Sequence, residues 1–244
     1  MAEPKKQNYL HGAAILAFGV VIMKILGAIY KIPLGNILGD TGYAYFLCAY
    51  NIYSVFLTLA TAGLPVALSR MIAEANTMNR PNQVRRIFSV AWWTFFVIGA
   101  VCTLVMALFP GQLASALNNP SAELSILALS PAVLLVCLTS AYRGYCQGHE
   151  NMTPVLEVLA KVAVGLLLAW YLTSTAQSLP VASAGAIFGV TIGSLVALIY
   201  MFAVKRRYYG SGHDGSDVPE NRMSVLRTLL RIGIPITLGS SVLS

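Results

Sequence analysis

Apolar residues in this chain gather into long runs separated by short polar stretches, and the runs share one length. They lie at residues 11–34, 43–66, 87–109, 122–142, 154–173 and 181–204, and another begins near Leu229. A helix rises about 1.5 Å per residue, so about 20 predominantly apolar residues are needed to cross the hydrocarbon core of a bilayer. The pattern predicts an all-α fold, a polytopic membrane helical bundle of six spans with the start of a seventh over 229–244. The runs are continuously apolar instead of alternating in short strands, which argues against a transmembrane β-barrel.

Prolines refine the reading. Pro154, behind Asn151 and Thr153, and Pro180 suit the first turn of a helix, where the missing N–H costs nothing. Pro65 and Pro131 fall inside runs instead. Pro131 removes a backbone donor well within the fourth span, which requires a neighbour to satisfy the freed carbonyl.

Composition agrees with a membrane protein. Hydrophobic residues make up 57% and charged residues only 10%, against about 25% charged in a soluble domain, and the mean hydropathy is +0.71. So few charges do not cover a soluble surface. The net charge of +7 raises the question of nucleic acid, but the basic residues are distributed as a topology signal, and no nucleic-acid partner is expected. With the N-terminus cytoplasmic, the inner segments hold Lys5, Lys6, Arg70, Arg80, Arg85, Arg86, Arg143, Lys205, Arg206, Arg207, Arg222, Arg227 and Arg231, which is 13 of the 16 basic residues. The outer loops at 35–42, 110–121 and 174–180 hold none. That asymmetry sets the orientation. The first apolar segment is too long for a signal peptide and lacks a small-residue cleavage pattern, so it reads as a retained helix.

Residues 1–204 are therefore expected to form an N-terminal six-helix lobe and 205–228 a cytoplasmic linker rich in Gly, Ser and charge, with 229–244 opening a second lobe. The basic start of the linker, KRRYY, reads either as a stop-transfer anchor or as a specific lipid-binding patch. Cys48, Cys102, Cys137 and Cys146 show no C-x-x-C spacing and read as small apolar residues.

The informative departures are charges inside the runs. Lys24 and Lys31 lie seven residues apart in the first span, which is almost two helical turns, so both face one way. Gly27 and Ala28 lie between them, and Gly35 continues the stripe, leaving room beside the cations. A charge at bilayer depth costs at least about 2.5 to 3.5 kcal/mol and normally faces protein or a water-filled cavity. Lys24 is central and reads as a cavity residue. Lys31 is close enough to the outer interface to snorkel, and both readings stand for it. In the fifth span, Glu157 and Lys161 at i and i+4 form either an intrahelical ion pair or a further part of the same cavity. Asn51, in the second span, is a candidate lining residue or an interhelical hydrogen-bond partner.

Catalytic signals are missing. The sequence has no phosphate-binding G-x-x-x-x-G-K-[ST], no H-E-x-x-H and no nucleophile elbow, and its histidines have no ligand spacing. Neither an enzyme nor a cofactor or metal site is expected.

The stretch KILGAIYKIPLGNILGDTGYAYFLCAYNIYSVFLTLATAGLPVALSRMIAEA resembles the opening two helices of the stage V sporulation protein B and polysaccharide-exporter family. RGYCQGHENMTPVLEV (143–158), AGAIFGVTIGSLVALIY (184–200) and RIGIPITLGSSVL (231–243) extend the resemblance over essentially the whole chain. The most specific parts are the LGD-TG turn, the AGLPVALSR helix end and the RGY-QG-NMTP loop. The family belongs to the multidrug, oligosaccharidyl-lipid and polysaccharide exporter superfamily, which also holds the lipid II flippase. The resemblance implies two pseudo-symmetric bundles of six helices around a cavity that opens alternately to either side, with this chain covering the first bundle and the start of the second. In the flippase branch the cavity is cationic, and Lys24 matches a basic residue just before an L-G pair. Lys31 departs from the pattern, because the lipid II flippase has an acidic residue near there.

The function these features imply is a bacterial cytoplasmic-membrane flippase for undecaprenyl-pyrophosphate-linked saccharides. Its implied partners are the lipid-linked saccharide, the bilayer and a coupling ion, Na+ or H+. A cation-coupled multidrug antiporter is the rival, disfavoured because helices one to four lack a clearly intramembrane carboxylate. A non-transporting membrane scaffold is the third reading.

Overall fold

Proline opens several helices of this chain, and asparagine in the left-handed region closes two of them. The computed structural model describes residues 35–36, 38–58, 60–61, 63–149, 171, 179–209 and 216–242, and every regular element among them is helical. Helix α1 covers 38–58. It is followed by α2 (Leu64–Thr77), α3 (Pro81–Leu108), α4 (Pro110–Ala116), a 3-10 turn (Pro120–Ala122), α5 (Glu123–Gly148), α6 (Leu179–Tyr209) and α7 (Arg222–Val242). Proline occupies the first turn of α2, α3, α4 and the 3-10 turn, and Pro180 does the same in α6.

The ends of α2 and α4 are built alike. Asn79 and Asn118 each have φ of 52°. After α2 the Asn79 N–H donates to the Asn76 carbonyl and the Arg80 N–H to the Ala75 carbonyl; after α4 the Asn118 and Asn119 N–H groups donate to Ser115 and Ala114. Both are Schellman closures, and in both a proline next in sequence, or next but one, starts the following element.

Several predicted boundaries move. Pro65 does not interrupt a span, because the 43–66 run is divided between α1 and α2 and Pro65 stands in the first turn of α2. The 110–121 segment is not loop throughout but contains α4 and the start of the 3-10 turn. The 205–228 linker is shorter than expected, since α6 continues through Tyr209 and α7 begins at Arg222 instead of near Leu229. An apolar run marks where a helix meets hydrocarbon, whereas backbone hydrogen bonding carries the helix on into the polar zone. Arg206 and Arg207 fall in the last turn of α6, where the helix dipole favours cations.

Three described segments are long and apolar enough to cross a membrane: Pro81–Leu108, Pro120–Gly148 and Ser183–Arg207. Helix α5 lies at the centre, packed by α2, α3 and α6. Hydroxyl groups tie these helices together. Ser125 and Ser183 share a hydrogen bond of 2.9 Å, Thr191 donates to the Ala128 carbonyl at 2.9 Å, and Thr103 donates to the Ser130 carbonyl at 3.0 Å. The carbonyl that Pro131 deprives of its backbone donor, that of Leu127, accepts the Ser130 hydroxyl at 2.9 Å. The expected compensation is thus made within the same helix. The four cysteines are free thiols, with Cys48, Cys137 and Cys146 buried.

Glycines set the closest approaches. Gly144 and Gly148, spaced G-x-x-x-G on α5, lie against α2; a Cβ on Gly144 would sit 2.8 Å from the Pro65 carbonyl oxygen, and one on Gly148 would sit 2.7 Å from Ile72 Cβ. Asn76 also donates to the Gly148 carbonyl at 3.3 Å. On its other side α2 meets α7. There the Gly63 N–H donates to Thr237 Oγ1 at 3.1 Å, and a Cβ on Gly233 would sit 2.7 Å from Leu64 Cδ2.

Candidate functional site

Asn51 is the one predicted site residue that falls among the described residues; Lys24, Lys31, Glu157 and Lys161 lie outside them. Asn51 is exposed on α1 and shares one helix face with Ala44 and Val55, at spacings of seven and four. The expected interhelical hydrogen bond is not found among the described residues. Behind Asn51 the helix is anchored by aromatic rings, with Tyr43 stacked on Phe46 at 5.9 Å, Phe46 on Tyr50 at 5.9 Å, and Tyr50 tilted against Tyr53 at 5.7 Å. Phe46 and Tyr53 are buried, so the face of α1 that carries them packs inward while Asn51 faces outward.

A second arrangement brings together residues that are distant in sequence. The end of α6 comes beside the start of α3 and the end of α5, enclosing a cavity of about 540 Å³. Arg85, Lys205 and Arg206 supply its cations, and Phe88, Tyr142 and Tyr145 form its aromatic wall. The Lys205 ammonium lies 3.7 Å from the centre of the Phe88 ring and 5.3 Å from that of Tyr145. Phe88 meets Tyr145 edge-on at 4.8 Å and Tyr142 at 5.4 Å. Ring faces attract an ammonium group electrostatically. Among the described residues no carboxylate lines the cavity.

The start of α3 is fixed by the segment that leads into α7. Asp217 accepts the Asn82 N–H at 3.1 Å through Oδ1 and the Gln83 N–H at 2.9 Å through Oδ2. Gln83 in turn accepts the Glu220 N–H at 2.7 Å through Oε1. A carboxylate that accepts two N–H groups of the first turn caps the helix from across the chain. Arg85, one turn further along, lines the cavity together with Lys205.

Residues 9–244 match the polysaccharide biosynthesis protein family. The chain belongs to that family. It is 27% identical over 201 residues to stage V sporulation protein B of Bacillus subtilis (strain 168), an alignment that covers 81% of this chain and 39% of that protein. It is 29% identical over 204 residues to the lipid II flippase MurJ of the same organism, covering 79% of this chain and 37% of that one. Its fold matches that of a MOP superfamily transporter from Pyrococcus furiosus with a TM-score of 0.74 at 15% identity, over 93% of this chain and 52% of the other. The chain thus spans 37–39% of the length of these two curated relatives.

The segments that carry the family resemblance meet one another in space. AGLPVALSR contributes Gly63, Leu64, Pro65 and Leu68; RGYCQG contributes Gly144 and Gly148; RIGIPIT contributes Gly233 and Thr237. The family pattern in these segments therefore describes a junction of α5, α2 and α7. The cavity around Lys205 is what reasoning from the sequence missed. Its signal was present as two clusters of basic and aromatic residues, RRIFSVAWW and KRRYY, assigned to the same side of the membrane.

Proposed function

We propose that this chain forms the first helical bundle, with the start of the second, of a bacterial cytoplasmic-membrane flippase that moves an undecaprenyl-pyrophosphate-linked saccharide between leaflets. The observation that carries the reading is the family match, which runs from residue 9 to 244 and takes in the lysine-bearing first apolar run. One relative is a lipid II flippase, an activity of the same substrate class. A diphosphate headgroup does not cross hydrocarbon unaided. In this reading Lys24, with Lys31 and Lys161, offsets the loss of its hydration within a wet cleft, Glu157 stands near the cytoplasmic mouth, and Asn51 lines the wall. The exposed polar side chain of Asn51 supports a water-facing surface there. Movement follows from rocking the two bundles, driven by an ion gradient or the membrane potential.

The test is transport and binding of a pyrophosphate-linked polyprenyl saccharide in proteoliposomes, with the protein carrying Lys24→Ala and Lys31→Ala together. Binding should fall at least about tenfold, the effect of removing one well-placed buried charge contact. Parent-like binding and movement by the double variant would sink the cationic-cleft reading.

A further inference from the structure

We infer that residues 217–220 form a latch, which holds the start of α7 on the start of α3 and comes away as one unit when the two bundles rock. This latch rests on the flippase reading, in which α7 opens the second bundle and α3 belongs to the first. Its hydrogen bonds meet two consecutive residues of α3. Besides the Asn82 and Gln83 N–H groups on the Asp217 carboxylate, the Asn82 side-chain amide donates to the Asp217 carbonyl at 3.1 Å, and the Gln83 side chain accepts the Glu220 N–H. Gln83 is only 6% exposed with the latch in place. Helix α7 follows without slack, since the Asn221 side chain accepts the Met223 N–H and its carbonyl accepts the Val225 N–H. Movement of α7 away from α3 therefore pulls directly on these bonds.

The attachment is polar where a permanent one would be packed. Val218 is 90% exposed, and Ser216, Glu220 and Asn221 are exposed as well, so hydrogen bonds hold the segment more than apolar burial does. Water takes over such bonds when the segment leaves, because the first-turn N–H groups of a helix are accessible to solvent. Behind the latch, α3 and α7 enclose a cavity of about 640 Å³, lined by Val90, Trp93 and Val97 on one side and by Met223, Leu226 and Leu230 on the other. The two helices thus forgo part of the close packing that dispersion would otherwise supply. A polar, loosely filled interface between two bundles is the kind that parts in relative motion. The carboxylate adds precision, since one oxygen on each of two successive N–H groups accepts a single register, and the latch recloses in the same place.

Hydrogen exchange read at single residues in nanodiscs tests the latch without any substrate. The Asn82, Gln83 and Glu220 amides should show one common protection factor, at least about tenfold below that of Ala91 in the buried part of α3, because a single local opening frees all three. Asp217→Ala should lower protection at Glu220 as well as at Asn82 and Gln83, although Asp217 bonds only the latter two through its carboxylate. Val218→Ala should leave all three unchanged. Protection equal to that of Ala91, or three unrelated values, would show a static cap or simple fraying and overturn the proposal. A second arm asks whether transport needs the opening. A disulfide between Asn82→Cys and Asp217→Cys, residues already in direct contact, holds the latch shut. Its formation should slow movement of a pyrophosphate-linked polyprenyl saccharide at least about tenfold, as expected when a gating step is blocked. Binding of that lipid should persist, and reduction should restore movement, with the single variants under the same oxidation as controls. Transport at the parent rate by the locked protein overturns the latch. A parent that neither binds nor moves the lipid refutes the flippase reading instead, and the exchange result then decides the latch.

Discussion

Gly63→Ala tests whether the α2–α7 junction is as tight as its geometry requires. A Cβ built on Gly63 overlaps the Gly233 carbonyl oxygen and lies 2.7 Å from Thr237 Oγ1 and 2.8 Å from the Thr237 backbone nitrogen. Two of these neighbours are backbone atoms of α7, so no side-chain rotation relieves the contact, and the helices must part. Parting them weakens the bond from the Gly63 N–H to Thr237, now 3.1 Å. Overpacking costs about 1–3 kcal/mol and a lost hydrogen bond about 1 kcal/mol. Gly63 precedes α2 with φ of −104°, so alanine gains little helix propensity there to offset this. The sum is about 2–4 kcal/mol. At roughly 2–4 °C per kcal/mol for a chain of this size, Tm in detergent should fall by about 4–15 °C. Gly239→Ala is the matched control, because no atom lies within 4 Å of its built Cβ. It should leave Tm unchanged or raise it slightly, since alanine favours helix by about 1 kcal/mol. Equal Tm values for the two variants would refute the close approach.

Two further perturbations follow from the hydrogen bonds. Ser130→Ala should cost about 1 kcal/mol by orphaning the Leu127 carbonyl above Pro131, but almost nothing in a Pro131→Ala background, where the backbone N–H returns; equal costs in a thermal double-mutant cycle would refute the compensation. Asp217→Ala removes the acceptor of the Asn82 and Gln83 N–H groups, so stability should fall by about 1–2 kcal/mol and limited trypsin digestion after Arg222 should accelerate, whereas an unchanged digest would show that the cap does not hold the segment.

The fold was readable because the bilayer demands a length. Runs of apolar residues identified helices whose described parts include three spans of sufficient length and apolarity, and the family pattern named the architecture. Helix ends were less readable, since apolarity stops at the hydrocarbon boundary while α3 begins at Pro81 and α6 ends at Tyr209. The N-R-P and N-N-P sequences at 79–81 and 118–120 carried the missing boundary signal, with a left-handed asparagine followed by proline. The Lys205 cavity was unreadable for another reason. Its residues come from α3, α5 and α6, and each basic cluster alone is sufficiently explained as a topology signal.

The position of the family motifs changes what they say about function. Charged and polar residues are what a transport substrate would recognise, yet at Gly63, Gly144, Gly148 and Gly233 what the structure shows is lack of room, since an added Cβ would crowd the neighbouring helix. Such contacts do not deform gradually, because a glycine against a carbonyl either fits or separates. Helix α2 is held on one side by α5 and on the other by α7, so a displacement of α7 relative to the bundle must either carry α2 with it or open the Gly63–Thr237 bond. In the proposed rocking of two bundles, the second choice breaks that bond together with the packing of α7 on α2 and α3. Thr237 also donates to the Gly233 carbonyl at 3.0 Å, so its hydroxyl remains satisfied within α7 when the bond to Gly63 breaks. At that bond the cost is a single N–H, about 1 kcal/mol, and the packing of α7 on α2 and α3 adds to it, so the Gly63–Thr237 contact fixes the register of the junction while the wider interface sets the cost of opening it.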